Sequence, residues 1–257
     1  MFNPYVGCGL SNSYLCKKNE MYKNIWSSII ALFLLVSCQP SSEELFEAGI
    51  GALDKQDFDT AIEHLNRLVE KDTAHAPAWN ARGVIFFQTG KLDDAVESFS
   101  RSIEVDENNY KPFFNRGNVY MEKEEYKKAL IDYNRANGLD FNQMDIYYNR
   151  GLALLGLEMY DDALIDFDKA LHADPQQPQV LFNKAKALLG NNDPLNAIAT
   201  LEALTTIDTR NGAAFYLLGV TEMSALGKKA EGCEHLQTAL SLGYTQAKDW
   251  LDEFCAE

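Results

Sequence analysis

Apolar positions in this chain recur with two nested periods. Within a unit, Trp79 and Phe86, Phe113 and Tyr120, and Tyr147 and Leu154 fall on one face of a predicted helix. A second predicted helix follows each of these and presents a small residue, an aliphatic one and then an aromatic one. Examples are Ala129, Leu130 and Tyr133, then Ala163, Leu164 and Phe167. The longer period is marked by two ladders of small residues, each stepping by 34. One is Gly49, Gly83, Gly117, Gly151, Ala185 and Gly219; the other, 12 residues later, is Ala61, Ala95, Ala129, Ala163 and Ala197. A repeat of this length and content predicts stacked helix–turn–helix units, each contacting only its neighbours. Glycine inside a helix costs about 1 kcal/mol against alanine. Its recurrence therefore predicts close approach of the paired helix, and the ladder alanine is the expected point of contact.

The units begin at Ser42, Ala76, Tyr110, Met144, Pro178 and Gly212 and fill residues 42–243. Thr89-Gly90 and Asn191-Asn192-Asp193-Pro194 punctuate the turns within units, and Asp174-Pro175 a turn between them. The last unit departs from the pattern. Glu222 stands at an apolar position and Ala230 lies one residue out of phase, which predicts an inner turn of different length. Residues 244–257 follow, and Tyr244 to Phe254 reads as an amphipathic helix with Ala247, Trp250, Leu251 and Phe254 on one face. A solenoid must cover its exposed apolar end, so this segment is expected to be a capping helix with Trp250 in the core.

Composition narrows the function classes. The 257 residues are 46% hydrophobic and carry a net charge of −15. That charge is spread along the chain and repels phosphate backbones, so no nucleic-acid partner is expected. It also disfavours lying flat on anionic lipid. None of the four histidines, His64, His75, His172 and His235, has a neighbour at metal-ligand spacing, and no Cys-x-x-Cys occurs. Gly49-Ile50-Gly51 begins like a dinucleotide loop, but Asp54 occupies the place of the third glycine and no strand precedes it. No metal, no cofactor and no enzyme activity is expected.

The segment before the repeats reads as an address. Residues 1–20 show no helical or strand period and are expected to lie outside the mature protein. From Met21 the chain runs through Lys23 into the apolar stretch Ile25 to Val36. Such a run is too short to cross a hydrocarbon core of about 30 Å and has the form of a secretory signal. It ends in Leu35-Val36-Ser37-Cys38, which resembles the lipobox of bacterial lipoproteins. The resemblance implies a signal peptide over 21–37, lipid on Cys38, acylation of the new amino terminus and a short tether over 38–42. Two or more acyl chains anchor stably where one would not. Gln39, where an inner-membrane retention signal would have Asp, implies the outer membrane, facing the periplasm. In an exported chain, Cys233 and Cys255 fit a disulfide tying the cap to the solenoid, with two buried free thiols as the alternative.

From Ser42 onward the chain resembles tetratricopeptide repeats, best in residues 76–109 with Trp79, Gly83, Phe86, Ala95 and Phe99. The resemblance implies an all-α, right-handed helix–turn–helix solenoid with a C-terminal capping helix. It also implies that the first helix of each repeat lines a concave groove through its fifth, sixth and ninth residues. Those positions place Asn115, Asn149 and Asn183 in a row, beside Asn80, Asn118 and the rings of Phe114, Tyr148 and Phe182. Amide side chains of this kind can bond an extended peptide backbone, and rings supply contact area. The alternative is a local polar network with no ligand. The Lys and Arg of the family's carboxylate clamp are missing from this row. Arg82, Arg116, Arg150 and Lys184 form another row. Asp132 and Asp166 follow two of its members at one fixed interval, which predicts ion pairs within repeats, with a basic row for an anionic ligand as the alternative. The overall pattern is similar to small outer-membrane repeat lipoproteins of pilotin or adaptor type. It implies a scaffold that binds another protein or peptide in assembling an envelope complex. A self-oligomerising module, and a carrier of a small molecule or glycan, remain as alternatives.

Overall fold

The computed structural model describes residues 40–256. Cys38, the signal over 21–37 and the segment 1–20 lie outside them. Among the described residues the chain is helical, and the helices come in pairs. The first helices are α1 (Ser42–Leu53), α3 (Ala76–Gln88), α5 (Tyr110–Glu122), α7 (Met144–Gly156), α9 (Pro178–Gly190) and α11 (Gly212–Leu226). The second helices are α2 (Phe58–Lys71), α4 (Leu92–Val105), α6 (Tyr126–Leu139), α8 (Tyr160–Ala173), α10 (Pro194–Ile207) and α12 (Lys229–Ser241). Each packs on its neighbours in sequence, and α1, α3, α5, α7 and α9 also touch one another in turn along the stack.

Local chemistry starts and stops these helices. Ser41 and Glu44 form a reciprocal capping box at the head of α1, with bonds of 2.7 and 3.1 Å. Asp57, Asp193 and Asn211 cap α2, α10 and α11 by accepting backbone N–H groups. Between repeats, Asp72, Asp106, Asp140, Asp174 and Asp208 each accept the N–H two residues on, at 3.0–3.2 Å. This row of Asx turns gives part of the acidic surplus a structural task.

The paired helix does approach the glycine ladder closely, but its nearest atoms are those of the residue one turn beyond the ladder alanine. A Cβ placed on Gly83, Gly117 or Gly151 would come 2.6–2.7 Å from the ring of Phe99, Tyr133 or Phe167 on the paired helix. The space that glycine opens is filled by an aromatic ring, and all three rings are fully buried. The ladder alanines are fully buried as well, and at Gly49 the alanine does come close, with the Ala61 carbonyl oxygen 3.6 Å from where a Cβ would sit.

The last pair is built differently. Gly227, with φ of 65°, ends α11, and α12 starts after a shorter turn. The small residue facing Gly219 is thereby Gly232, whose carbonyl oxygen lies 2.6 Å from where a Cβ on Gly219 would sit. The phase shift thus points to Gly232, not to Ala230, and the contact is backbone on backbone. The cap is also shorter than the sequence pattern predicts. One turn of helix, α13 (Ala247–Trp250), runs into a π-helical turn over Leu251–Cys255, and Tyr244 precedes the helix. Ala247 is buried; Trp250 is half-buried and Phe254 is 40% exposed, so Trp250 lies at the margin of the core, its ring tilted against that of Phe254 with centroids 5.0 Å apart. The wider π turn brings Cys255 back to Cys233 on α12, and the two form a disulfide with Cα atoms 5.8 Å apart.

Candidate functional site

Stacking places the fifth and sixth residues of successive first helices side by side. Asn115 on α5 donates from its amide to Asn80 Oδ1 on α3 at 3.0 Å. Asn183 on α9 donates to the Tyr148 hydroxyl on α7 at 3.2 Å and to the Gln179 carbonyl of its own helix at 2.9 Å. Asn149 donates to the Asp145 carbonyl at 2.8 Å. A backbone carbonyl can only accept, so the amide nitrogens of Asn149 and Asn183 are fixed toward the helix. Their carbonyl oxygens, and that of Asn115, accept no hydrogen bond among the described residues. The row therefore presents acceptors at one-repeat intervals, each half-buried. Asn115 and Asn149 each keep a second amide N–H as well, so the row suits extended backbone, which offers both N–H and C=O groups.

The neighbouring candidates divide. Phe114 and Tyr148 sit half-buried beside the row and tilt onto the core rings of Tyr133 and Phe167, with centroids 5.9 and 6.3 Å apart. Phe182 packs partly buried on the cluster around Leu181 and Leu201. Burial pushes the Tyr148 hydroxyl above its usual range, only partly offset by the bond from Asn183, so it stays protonated. Asn118 belongs more to the core, because its Oδ1 accepts the Tyr133 hydroxyl at 2.7 Å. Asn80 spends its oxygen on Asn115. The structure thus gathers the three asparagines and the three rings along one row, and gives Asn80 and Asn118 internal partners.

The basic row lies toward the second helices. Arg116 donates from Nε and Nη2 to the Asp132 carboxylate at 2.7 and 2.8 Å, and from Nη1 to Ser100 at 2.8 Å. Arg150 does the same with Asp166, at 2.6 and 2.7 Å, and with Asn134 at 3.0 Å. The expected within-repeat pairs form, and each arginine also reaches the second helix of the preceding repeat. Sequence spacing alone could not show that reach, although Ser100 and Asn134 stand as far before their arginines as the aspartates stand after them. Among the described residues Lys184 bonds only backward, to Asp168 at 2.6 Å. Bonds to Asp132 and Asp166 hold the Arg116 and Arg150 guanidiniums above their ordinary range, whereas burial pulls that of Arg82 down. Between successive second helices lie open hollows of about 570, 290 and 430 Å³, floored by Arg82, Arg150 and Lys184 respectively.

Among the described residues, no helix is long and apolar enough to cross a membrane. Comparison with known proteins matches residues 46–112 and 145–177 to models described as tetratricopeptide repeat, and 117–158 to one described as TPR repeat. No curated protein matches the sequence. Among solved structures, the chain resembles YrrB, described as a TPR protein with an unusual peptide-binding site. Identity is 23% and the TM-score 0.64, over 71% of this chain and 93% of that one. It also resembles pilF of Pseudomonas aeruginosa, at 20% identity and a TM-score of 0.64 over 80% and 97%. MamA of Desulfovibrio magneticus RS-1 is similar at 18% identity and a TM-score of 0.63, over 66% and 96%. Residues 46–112 and 117–177 carry tetratricopeptide repeats, and the stacked helix pairs form an all-α tetratricopeptide-repeat solenoid.

Proposed function

We propose that this chain is a lipid-anchored, non-catalytic adaptor that holds an extended stretch of another protein along its first helices. The observation that carries this reading is the row of Asn115, Asn149 and Asn183, each amide nitrogen oriented by an internal bond and each oxygen open beside Phe114, Tyr148 and Phe182. An extended peptide supplies N–H groups along its length, and its side chains can rest on the rings. The fifth and sixth positions of the row hold no Lys or Arg, so the proposed grip is on the ligand's backbone rather than on a terminal carboxylate. The peptide-binding site ascribed to YrrB supports a peptide as the ligand class. The lipobox-like Leu35-Val36-Ser37-Cys38 supports an anchor on Cys38, and Gln39 supports the outer membrane, facing the periplasm. The work proposed is assembly of a cell-envelope complex.

Two measurements test the reading. Pull-down after crosslinking in native membranes compares wild type with a chain carrying Asn115→Ala, Asn149→Ala and Asn183→Ala. A discrete partner lost in the triple variant supports the groove. Unchanged capture moves the partner to another face, and capture of only this chain makes self-assembly the better account. Separately, Cys38→Ser should move the protein out of the membrane fraction and remove the acyl mass from its N-terminal peptide; a protein still membrane-bound without acyl mass contradicts the anchor.

A further inference from the structure

The three arginine sites are copies of one design, so each shows what the others lack. At Arg116 and Arg150, the aspartate of the paired second helix accepts both Nε and Nη2. At Arg82 that position is Ser98, a buried hydroxyl that accepts only Nε, at 3.1 Å. Nη1 has a long 3.4 Å contact to Asn66, and Nη2 has no hydrogen-bond partner among the described residues. Arg82 forms no ion pair among them either, although it is half-buried.

A second contact is missing at the same place. In the sister sites a cation from the second helix covers the ring beside the arginine: Arg135 over Phe113 at 5.7 Å, and Lys169 over Tyr147 at 5.0 Å. The equivalent residue, Arg101, turns instead to Glu104 at 2.8 Å. Trp79 keeps Arg82 on one face, at 4.5 Å, and gains no second cation. Arg82 and Trp79 line the hollow of about 570 Å³ together with the paired Arg101 and Glu104, and its rim also carries the exposed carboxylates of Glu70 and Glu97, unpaired among the described residues. Those rim charges repel a simple anion, while the half-buried guanidinium lacks the carboxylate its copies have. A ligand that satisfies both must carry a negative and a positive group together.

We infer that the hollow between α2 and α4 is a second binding site, taking a polypeptide segment with an acidic side chain next to a basic one. The acidic group pairs with Arg82 as Asp132 pairs with Arg116. The basic group stacks on Trp79 under Glu70 and Glu97, as Lys169 stacks on Tyr147. The site faces the second helices and stands independently of the acceptor row on the first helices.

The test is NMR of the full chain labelled with nitrogen-15, following the Trp79 indole and Arg82 Nε signals. The probes are N-acetyl-Lys-Glu-amide, N-acetyl-Glu-amide and N-acetyl-Lys-amide. The two-charge peptide should shift both signals and bind about tenfold more tightly than either single-charge one. Ser98→Asp installs the sister carboxylate and should abolish the Arg82 response. Arg82→Lys, which keeps the charge but loses the fork, should weaken binding several-fold. Absence of any shift in wild type overturns the inference, as does equal binding by Ser98→Asp. A Trp79 shift with the lysine probe alone and a silent Arg82 also overturns it, leaving a cation site.

Discussion

The middle repeats and the last one solve the same packing problem by different means. In the repeats around Gly117 and Gly151, glycine clears space for a ring, and an arginine ties the first helix to two second helices. In the last repeat Gly219 faces Gly232, and the arginine position is Leu218, fully buried. The polar tie there is buried Glu222 with His235 Nδ1, at 2.6 Å, and the disulfide holds a cap of barely two turns. Both devices of the middle repeats use the same repeat or the one before it, so the last repeat had the neighbours they need; it closes instead with contacts that occur once among the described residues.

Removing one half of a middle-repeat tie should have the largest effect. Asp166→Ala leaves Arg150 half-buried without its carboxylate and should cost about 3 kcal/mol in urea unfolding. Ser98→Ala, at the site that already lacks a carboxylate, should cost only about 1 kcal/mol. Equal losses would mean that the aspartates add nothing beyond a hydroxyl at these sites. Replacing both Cys233 and Cys255 by Ser should lower stability by about 2–3 kcal/mol. Hydrogen exchange should localise the change to α12 and the cap, and leave α5 to α8 as protected as before; a change spread along the whole stack would break the distinction between end and middle.

The glycines allow a finer comparison within one pair of helices. Gly117→Ala drives a Cβ into the Tyr133 ring and should destabilise by about 2 kcal/mol. Gly138→Ala, on the exposed side of α6 with nothing within 4 Å, should stabilise by about 0.5–1 kcal/mol. Thermal melts of the two variants should therefore move in opposite directions. The smallest effect expected is from acid. Glu44, Asp57 and Asp140 are held below their usual range, Glu44 mainly by the Ser41 backbone, Asp57 by the Thr60 side chain and Asp140 by the Gln143 side chain. A depressed carboxylate stabilises above its unfolded pKa and ceases to as pH falls through the lower folded value. Their contribution should be flat near neutrality and fade below about pH 4. A melting temperature that falls already between pH 7 and 5 would point to other groups.

Much of the architecture was legible because packing demands residue types at fixed spacing. Glycine, ring and alanine recur once per repeat wherever two helices must nest, and an acid at a constant interval after an arginine marks a pair. What glycine meets was less legible: the ladder alanine and the ring one turn beyond it were both plausible neighbours, and only helix rotation separates them. The inner turns hold another ladder, Gln56, Gly90, Glu124, Glu158 and Asn192, all at positive φ. Its members share a backbone conformation but no side-chain type, so no residue pattern betrays it. Of the Asp72-to-Asp208 ladder only Asp174 stood out in the sequence, because the task of the row emerges from the turns it closes. For the candidate site, the identity of the asparagines could be read, but which atom each leaves open depends on the carbonyl one turn back for Asn149 and Asn183, and on Asn80 of the neighbouring helix for Asn115.

The measurement closest to the central claim is site-specific photocrosslinking in native membranes. A photoreactive residue replaces Asn149 on the acceptor row or exposed Ile165 on the second-helix side, and the crosslinked peptides are sequenced. The account predicts crosslinks from position 149 to one extended segment of another envelope protein, with that segment absent from position 165. Crosslinks to the same segment from 165 alone, or from 149 only to this chain itself, would contradict it.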